Sequence, residues 1–225
     1  MIKENILRVK EQISLLCSRI NRDPNSITIV AVSKGRTAEQ IKEAIEAGIT
    51  DIGENRVQEA LVKYNQLGTV HYKLRTHMVG HLQTNKVKDA VKIFDLIQSV
   101  DSLHLAEEID RQAARINKIQ DVLIEIKTSP EASKSGLKPE ETVEVINKIA
   151  EFKNINIKGL MTITPLVDNP EKTRPYFRAL RELRDKINQL TNHQLAILSM
   201  GMTDDFELAI EEGSNMVRLG RAIFE

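Results

Sequence analysis

Ile27-Thr28-Ile29-Val30-Ala31-Val32-Ser33-Lys34 is an apolar run that ends on an amine, and helical periodicity resumes only at Thr37. A strand that stops at a lysine and turns into a helix is the opening of a βα unit. In parallel α/β folds the chemistry sits just beyond the strands' carboxyl ends, so this run puts Lys34 at the mouth of the fold. Lysine is also the side chain that forms Schiff bases with carbonyl compounds.

Outward from that run, short apolar strands alternate with longer helical segments along the whole chain. Strands are expected over 27–32, 50–53, 77–80, 96–100, 122–127, 157–162, 196–200 and 216–219, and helices over 37–47, 56–67, 84–91, 102–119, 139–152, 173–190 and 204–212. Eight strands joined by helical crossovers predict an α/β fold with a parallel sheet closed as a single (β/α)8 TIM-type barrel, one domain over 1–225. Only seven of these helices follow strands. The extra amino-terminal helix over 6–20, with Ile6, Val9, Ile13, Leu16 and Ile20 on one face, is expected to cover the last position outside the barrel. No Pro/Gly/Ser-rich linker, low-complexity tract or longer repeat interrupts this rhythm.

Composition narrows the partners. Lys and Arg total 32 and Asp and Glu total 32, so no net field draws the chain to nucleic acid or to an anionic membrane. A small-molecule site is expected instead. No apolar run approaches the roughly 18 residues of a membrane-spanning helix, the first residues do not resemble a signal peptide, and a cytoplasmic protein is expected. Cys17 is the only cysteine, so no internal disulfide can form. His77 and His81 lie four apart on a strand-then-turn segment without a third ligand, and no metal site is expected.

Barrel enzymes commonly hold a phosphate between the loops after strands seven and eight. Here those segments read Leu198-Ser199-Met200-Gly201-Met202-Thr203-Asp204-Asp205 and Met216-Val217-Arg218-Leu219-Gly220-Arg221-Ala222. Gly201 and Gly220 let backbone N–H groups approach an anion, Ser199 and Thr203 offer hydroxyls, and Arg221 offers charge. Arg218 lies within an apolar strand, and an arginine lining a barrel requires a specific partner because burying it alone is costly. A strand-end amine, an anion cradle after the last two strands and an arginine in the last strand together describe a pyridoxal 5′-phosphate site.

The chain resembles the pyridoxal phosphate homeostasis protein family, whose fold is similar to the alanine racemase N-terminal domain. The resemblance runs from Ala31-Val32-Ser33-Lys34 through Gly53-Glu54-Asn55, Gly80-His81-Leu82-Gln83-Thr84-Asn85-Lys86, Ser133-Lys134-Ser135-Gly136-Leu137 and Gly159-Leu160-Met161-Thr162 to Leu198-Ser199-Met200-Gly201-Met202. It implies a cofactor Schiff base on Lys34, Arg218 facing the pyridine nitrogen, and a phosphate held by Thr203, Gly220 and Arg221 with Ser199 as a further contributor. It places Asn55 and Met78 beside the ring. Gly35-Arg36 after the lysine, Arg221 in place of a small hydroxyl residue and the ending Phe224-Glu225 depart from the family pattern.

The implied role is a carrier that helps set intracellular free pyridoxal phosphate, with pyridoxal phosphate-dependent apo-enzymes as recipients, and a monomer without strong catalysis of its own. Racemases of this fold add a tyrosine from a second domain, and Tyr64, Tyr72 and Tyr176 are not expected at a strand's carboxyl end. Two alternatives stand beside this reading. One is a minimal amino-acid racemase or decarboxylase. The other is a Schiff-base barrel enzyme on a phosphorylated metabolite, for which Glu54 with His77 or His81 would serve as acid and base. Lys134 is a candidate second cofactor site in the loop over 128–138.

Overall fold

The structure is a computed structural model that describes residues 1–129 and 135–225, the side chains of 71–73 excepted. The sheet is a closed barrel of parallel strands in sequential order: β1 (Thr28–Val32), β2 (Asp51–Glu54), β3 (Arg75–Met78), β4 (Leu96–Val100), β5 (Gln120–Glu125), β6 (Ile155–Met161), β7 (Ile197–Ser199) and β8 (Met216–Leu219). Closure comes from β8 lying against β1, with Thr28 opposite Met216 and Ala31 opposite Leu219. Lys134, the candidate second cofactor site, lies outside the described residues, as does Ser133 beside it.

Alternate residues of a strand face opposite sides of its sheet, and in a closed barrel this separates two cores. Val30, Leu96, Leu123, Met161 and Met216 fill the interior with Val79. Ile52, Met78, Ile97, Leu160, Val217 and Leu219 face the helices, where Phe94 and Phe177 are fully buried. Burying each such side chain contributes about 1.5–3 kcal/mol, so the layer between sheet and helices dominates the favourable side of folding.

The outer layer comprises α1 (Ile2–Arg19), α2 (Ala38–Glu46), α3 (Val57–Leu67), α4 (Val87–Ile93), α5 (Leu103–Ala114), α6 (Thr142–Ile149), α7 (Arg174–Leu190), α8 (Phe206–Glu211) and α9 (Arg221–Phe224). The amphipathic α1 buries Ile6, Val9, Ile13 and Leu16 and packs on α9 and α2. Asn5 Nδ2 donates to the Ile223 carbonyl at 3.1 Å, which ties α1 to the turn after β8. Ile20, expected on the same face, is the C-cap and is exposed. The short chain after β8 does form a helix of its own, one turn long, so α1 covers α9 rather than an empty position. Among the described residues no helix is long and apolar enough to cross a membrane.

Several boundaries differ from the expectation for a common reason. β3, β5 and β6 each begin two residues earlier than apolar patterning indicates, because polar residues at the barrel's amino-terminal rim bond across strands. Asn156 Nδ2 donates to Asp121 Oδ1 at 2.8 Å, and Gln120 Nε2 donates to the Phe94 and Asp95 carbonyls at 3.2 and 3.0 Å. The helix expected to reach 119 stops at Ala114, followed by Asn117 with φ 53°.

Candidate functional site

Ser33, Lys34, Gly35 and Arg36 form the turn that closes β1, with the Arg36 N–H donating to the Ser33 carbonyl at 2.9 Å. Gly35 has φ 71°, the left-handed conformation a type II turn requires at its third residue, so the unexpected glycine is what lets the chain turn directly after Lys34. Thr37 and Gln40 then start α2 with a reciprocal capping box: the Gln40 N–H donates to Thr37 Oγ1 at 3.3 Å and the Thr37 N–H to Gln40 Oε1 at 3.0 Å.

Beneath this turn is a buried ionic cluster. Lys63 Nζ, from α3, donates to the Ser33 carbonyl at 2.5 Å, to Glu54 Oε1 at 2.8 Å and to Glu59 Oε1 at 2.6 Å. The Ser33 hydroxyl donates to Glu54 Oε1 at 2.5 Å, and the Gly35 N–H donates to Glu59 Oε1 at 2.7 Å. Both neighbours of Lys34 are therefore held by side chains of β2 and α3. Burial pushes the Glu54 carboxyl above its ordinary range despite hydrogen bonds from Lys63 and Ser33. At Glu59 burial acts in the same direction but is outweighed by Lys63 and the Gly35 N–H, and the carboxyl stays below its usual range.

Lys34 opens on a groove of about 700 Å³ that also includes Asn55, Met78, Arg56, His81 and Lys86. Asn55 is positioned by Gly80: a Cβ there would come within 2.5 Å of the Asn55 carbonyl oxygen, so only glycine permits the two loops to touch. Met78 is fully buried, belongs to the core between sheet and helices, and reaches the groove wall from that layer.

The β7–β8 side adjoins β1 directly. Val30 pairs with Arg218, and the Gly220 Cα is close enough to β1 that a Cβ would sit 3.6 Å from the Val32 carbonyl oxygen. The Arg218 segment and the Lys34 turn thus share one rim. Thr203 Oγ1 accepts the Ala222 N–H at 3.2 Å, which joins the β7 loop to the start of α9. Arg221 forms an exposed ion pair with Asp204. Ser199 is elsewhere: fully buried inside the barrel below Arg218, it is not at the rim with the anion-binding candidates.

The barrel interior carries a line of polar side chains. Arg218 Nη1 donates to Ser199 Oγ at 2.7 Å, Ser199 Oγ donates to Gln98 Oε1 at 2.6 Å, Gln98 Nε2 meets His77 Nδ1 at 2.9 Å, and His77 Nε2 meets Asp51 Oδ1 at 2.9 Å. Arg218 Nη2 also donates to the Thr162 carbonyl at 2.8 Å. Burial lowers the Arg218 guanidinium to about 10, opposed by Glu125 and Asp205, so it is charged at neutral pH. Glu125, also buried, is raised to about 7 by burial and by Asp101 against the pull of Arg218. The bonds to Ser199 and Thr162 occupy part of a five-donor fork, so the buried guanidinium retains donors for one more acceptor, such as a ring nitrogen. A site with an amine, a buried cation with donors to spare and a glycine-edged loop fits pyridoxal phosphate.

Two departures from the family pattern meet each other. The Arg36 guanidinium pairs with Glu225 and lies 5.8 Å from the Phe224 ring centroid, which fastens the last residues to the Lys34 turn. The acid–base pair required for a sugar- or keto-substrate enzyme is not brought together. Glu54 faces α3 and is engaged by Lys63 and Ser33, while His77 is inside the barrel between Asp51 and Gln98. His81 is on the rim beside Asp101 at 3.2 Å. The sequence does not single out Lys63, Glu59, Gln98 or Asp51, and Thr162 enters it only within a family motif. The signal for Lys63 and Glu59 was a Glu–Lys pair four apart on a helix, which ordinarily marks a solvated face.

The fold and this rim define a barrel of the alanine racemase N-terminal class, and that family matches residues 5–225. A pyridoxal phosphate homeostasis protein of Aquifex aeolicus (strain VF5) is 45% identical over 221 residues, covering 98% of this chain and 96% of that protein. Its counterpart in Haemophilus influenzae is 37% identical over 224 residues, covering 99% and 94%. PipY of Synechococcus elongatus PCC7942, solved with PLP bound, superposes with a TM-score of 0.87 at 34% identity, covering 100% of both chains. The chain belongs to the pyridoxal phosphate homeostasis protein family.

Proposed function

We propose that this protein binds pyridoxal 5′-phosphate through a Schiff base to Lys34 and holds it reversibly, so that it helps set the free cofactor concentration without strong catalysis of its own. The observation that carries this reading is the pairing of β1 with β8, which sets the Lys34 turn beside Arg218 and Gly220 on one rim. The bound cofactor supplies an aldehyde carbon for the lysine amine and an aromatic ring able to accept electron density. Asn55 and Met78 line the groove beside Lys34, Thr203, Gly220 and Arg221 would hold the phosphate, and Arg218 would donate to the ring nitrogen. Ser199 acts on Arg218 instead of on the phosphate.

A charged guanidinium beside the ring nitrogen would disfavour its protonation, so the bound ring would be a weak electron sink. Tyr64 and Tyr176 support the same reading, and the Tyr72 side chain lies outside the described residues. Tyr64 is buried on α3, edge-on to Phe94 with centroids 6.2 Å apart, and burial pushes its phenol further from ionisation. Tyr176 is in the first turn of α7, in the helix layer outside the sheet. Pyridoxal phosphate-dependent apo-enzymes are the proposed recipients, and a cytoplasmic monomer is the proposed working form.

The test is spectroscopic. Adding pyridoxal phosphate to the purified protein is expected to produce a visible Schiff-base band, and borohydride should fix the cofactor's mass on the peptide containing Lys34. Lys34→Ala should abolish both and leave the far-UV circular dichroism unchanged. A band that survives in Lys34→Ala refutes the assignment, and amino-acid turnover comparable with that of racemases refutes the carrier role.

A further inference from the structure

We propose that Ser199, Gln98, His77 and Asp51 are positioning residues that hold the Arg218 guanidinium in place for the cofactor ring through a one-way hydrogen-bond chain across the barrel interior. The proposal rests on the pyridoxal phosphate reading of the rim. Its basis is donor and acceptor bookkeeping along contacts of 2.6 to 2.9 Å.

Arginine can only donate, so Ser199 Oγ accepts from Arg218 and its own hydrogen must go elsewhere. Gln98 Oε1, 2.6 Å away, is the acceptor. That fixes the amide orientation and turns Gln98 Nε2 toward His77 Nδ1, which must then be the unprotonated ring nitrogen. The imidazole hydrogen is left on Nε2, where it meets Asp51 Oδ1. Every member donates in the same direction, from a cation at the cofactor end to a carboxylate at the amino-terminal end. Thr50 Oγ1 closes the chain by donating to Asp51 Oδ2 at 2.7 Å.

The opposite amide orientation breaks this order. Gln98 Nε2 would then donate to Ser199 Oγ and take away the acceptor of the Ser199 hydrogen, and Gln98 Oε1 would need a hydrogen on His77 Nδ1. The Ser199, Gln98 and His77 side chains are fully buried, so no water replaces a lost partner and each link constrains the next. β7, β4, β3 and β2 supply one link apiece, so the guanidinium is set by four strands besides its own.

A double-mutant cycle on pyridoxal phosphate dissociation separates positioning from general packing. Gln98→Leu is expected to weaken the cofactor about tenfold when Arg218 is present, because a guanidinium no longer held in place would lose one hydrogen bond to the ring, and less than about twofold in an Arg218→Met background. Ser199→Ala, a smaller change, should follow the same pattern if Gln98→Leu does not fold. Equal losses in both backgrounds would overturn the chain. Nitrogen-15 spectra of the cofactor-free protein provide an independent readout. They should show the His77 hydrogen on Nε2 and a displaced Nδ1 resonance in Ser199→Ala, two links away. A hydrogen on Nδ1, or a His77 signal indifferent to Ser199, would overturn the chain even if pyridoxal phosphate binds. If the unsubstituted protein binds no pyridoxal phosphate while the His77 signals behave as expected, the functional reading fails and the chain stands as a property of the barrel.

Discussion

Lys63 and Arg221 flank the same rim, yet Lys63 is 6% exposed and meets three acceptors while Arg221 meets Asp204 with both side chains more than 60% open to solvent. The first arrangement is stiff. Charges removed from water must keep their partners, so Lys63, Glu54 and Glu59 lock the backbone on either side of Lys34. The second is adjustable, because an exposed pair is screened and can be exchanged for another anion at little cost. In the proposed function, burial would fix the amine in place and exposure would leave the phosphate side adjustable.

The sharpest way to break the contrast is to remove the buried cation. Lys63→Met leaves Glu54 without its counter-charge and is expected to lower unfolding stability by about 3–5 kcal/mol in urea titrations of the cofactor-free protein. A loss of under about 1 kcal/mol would mean that the cluster does not hold the turn.

Glu125 gives the next effect, and its sign depends on pH. Its folded value of about 7 is above the ordinary 4.5, so between these limits the folded protein retains a proton that the unfolded chain has released. Stability therefore falls as pH rises through that window and stays reduced above it. Glu125→Gln should match the unsubstituted protein below about pH 4 and exceed it by up to about 3 kcal/mol above about pH 7, measured as denaturant midpoints across pH. A variant that is less stable at pH 8 would reverse the assignment. The smallest effect belongs to the exposed pair: Arg221→Ala should change stability by less than about 1 kcal/mol while weakening phosphate-bearing ligands more than pyridoxal itself in binding titrations. Equal loss for both ligands would detach Arg221 from the phosphate.

The barrel was legible because alternation between apolar strands and amphipathic helices is a local signal, and all eight strands formed where that rhythm put them, within a few residues. The rim residues were legible for a related reason, since each follows a strand's carboxyl end. Ser199 shows the limit. It precedes the β7 loop in sequence and so resembled a phosphate contact, but strand alternation turns it inward to Arg218. His77 resembled half of an acid–base pair with Glu54, yet the two project from opposite faces of the sheet. Arg36 and the ending Phe224-Glu225 looked like separate anomalies and are one contact.

By itself the sequence determined the succession of strands and helices, the amine after β1 and the arginine within β8, because hydrophobic period and strand-end chemistry are written over a few neighbouring residues. Only closure of the barrel decided that β8 lies against β1, that Lys63 disappears under the Lys34 turn, and that five polar side chains from five strands meet in line. Those contacts join residues far apart in the chain, and their geometry is fixed by sheet register and burial, which no local pattern encodes.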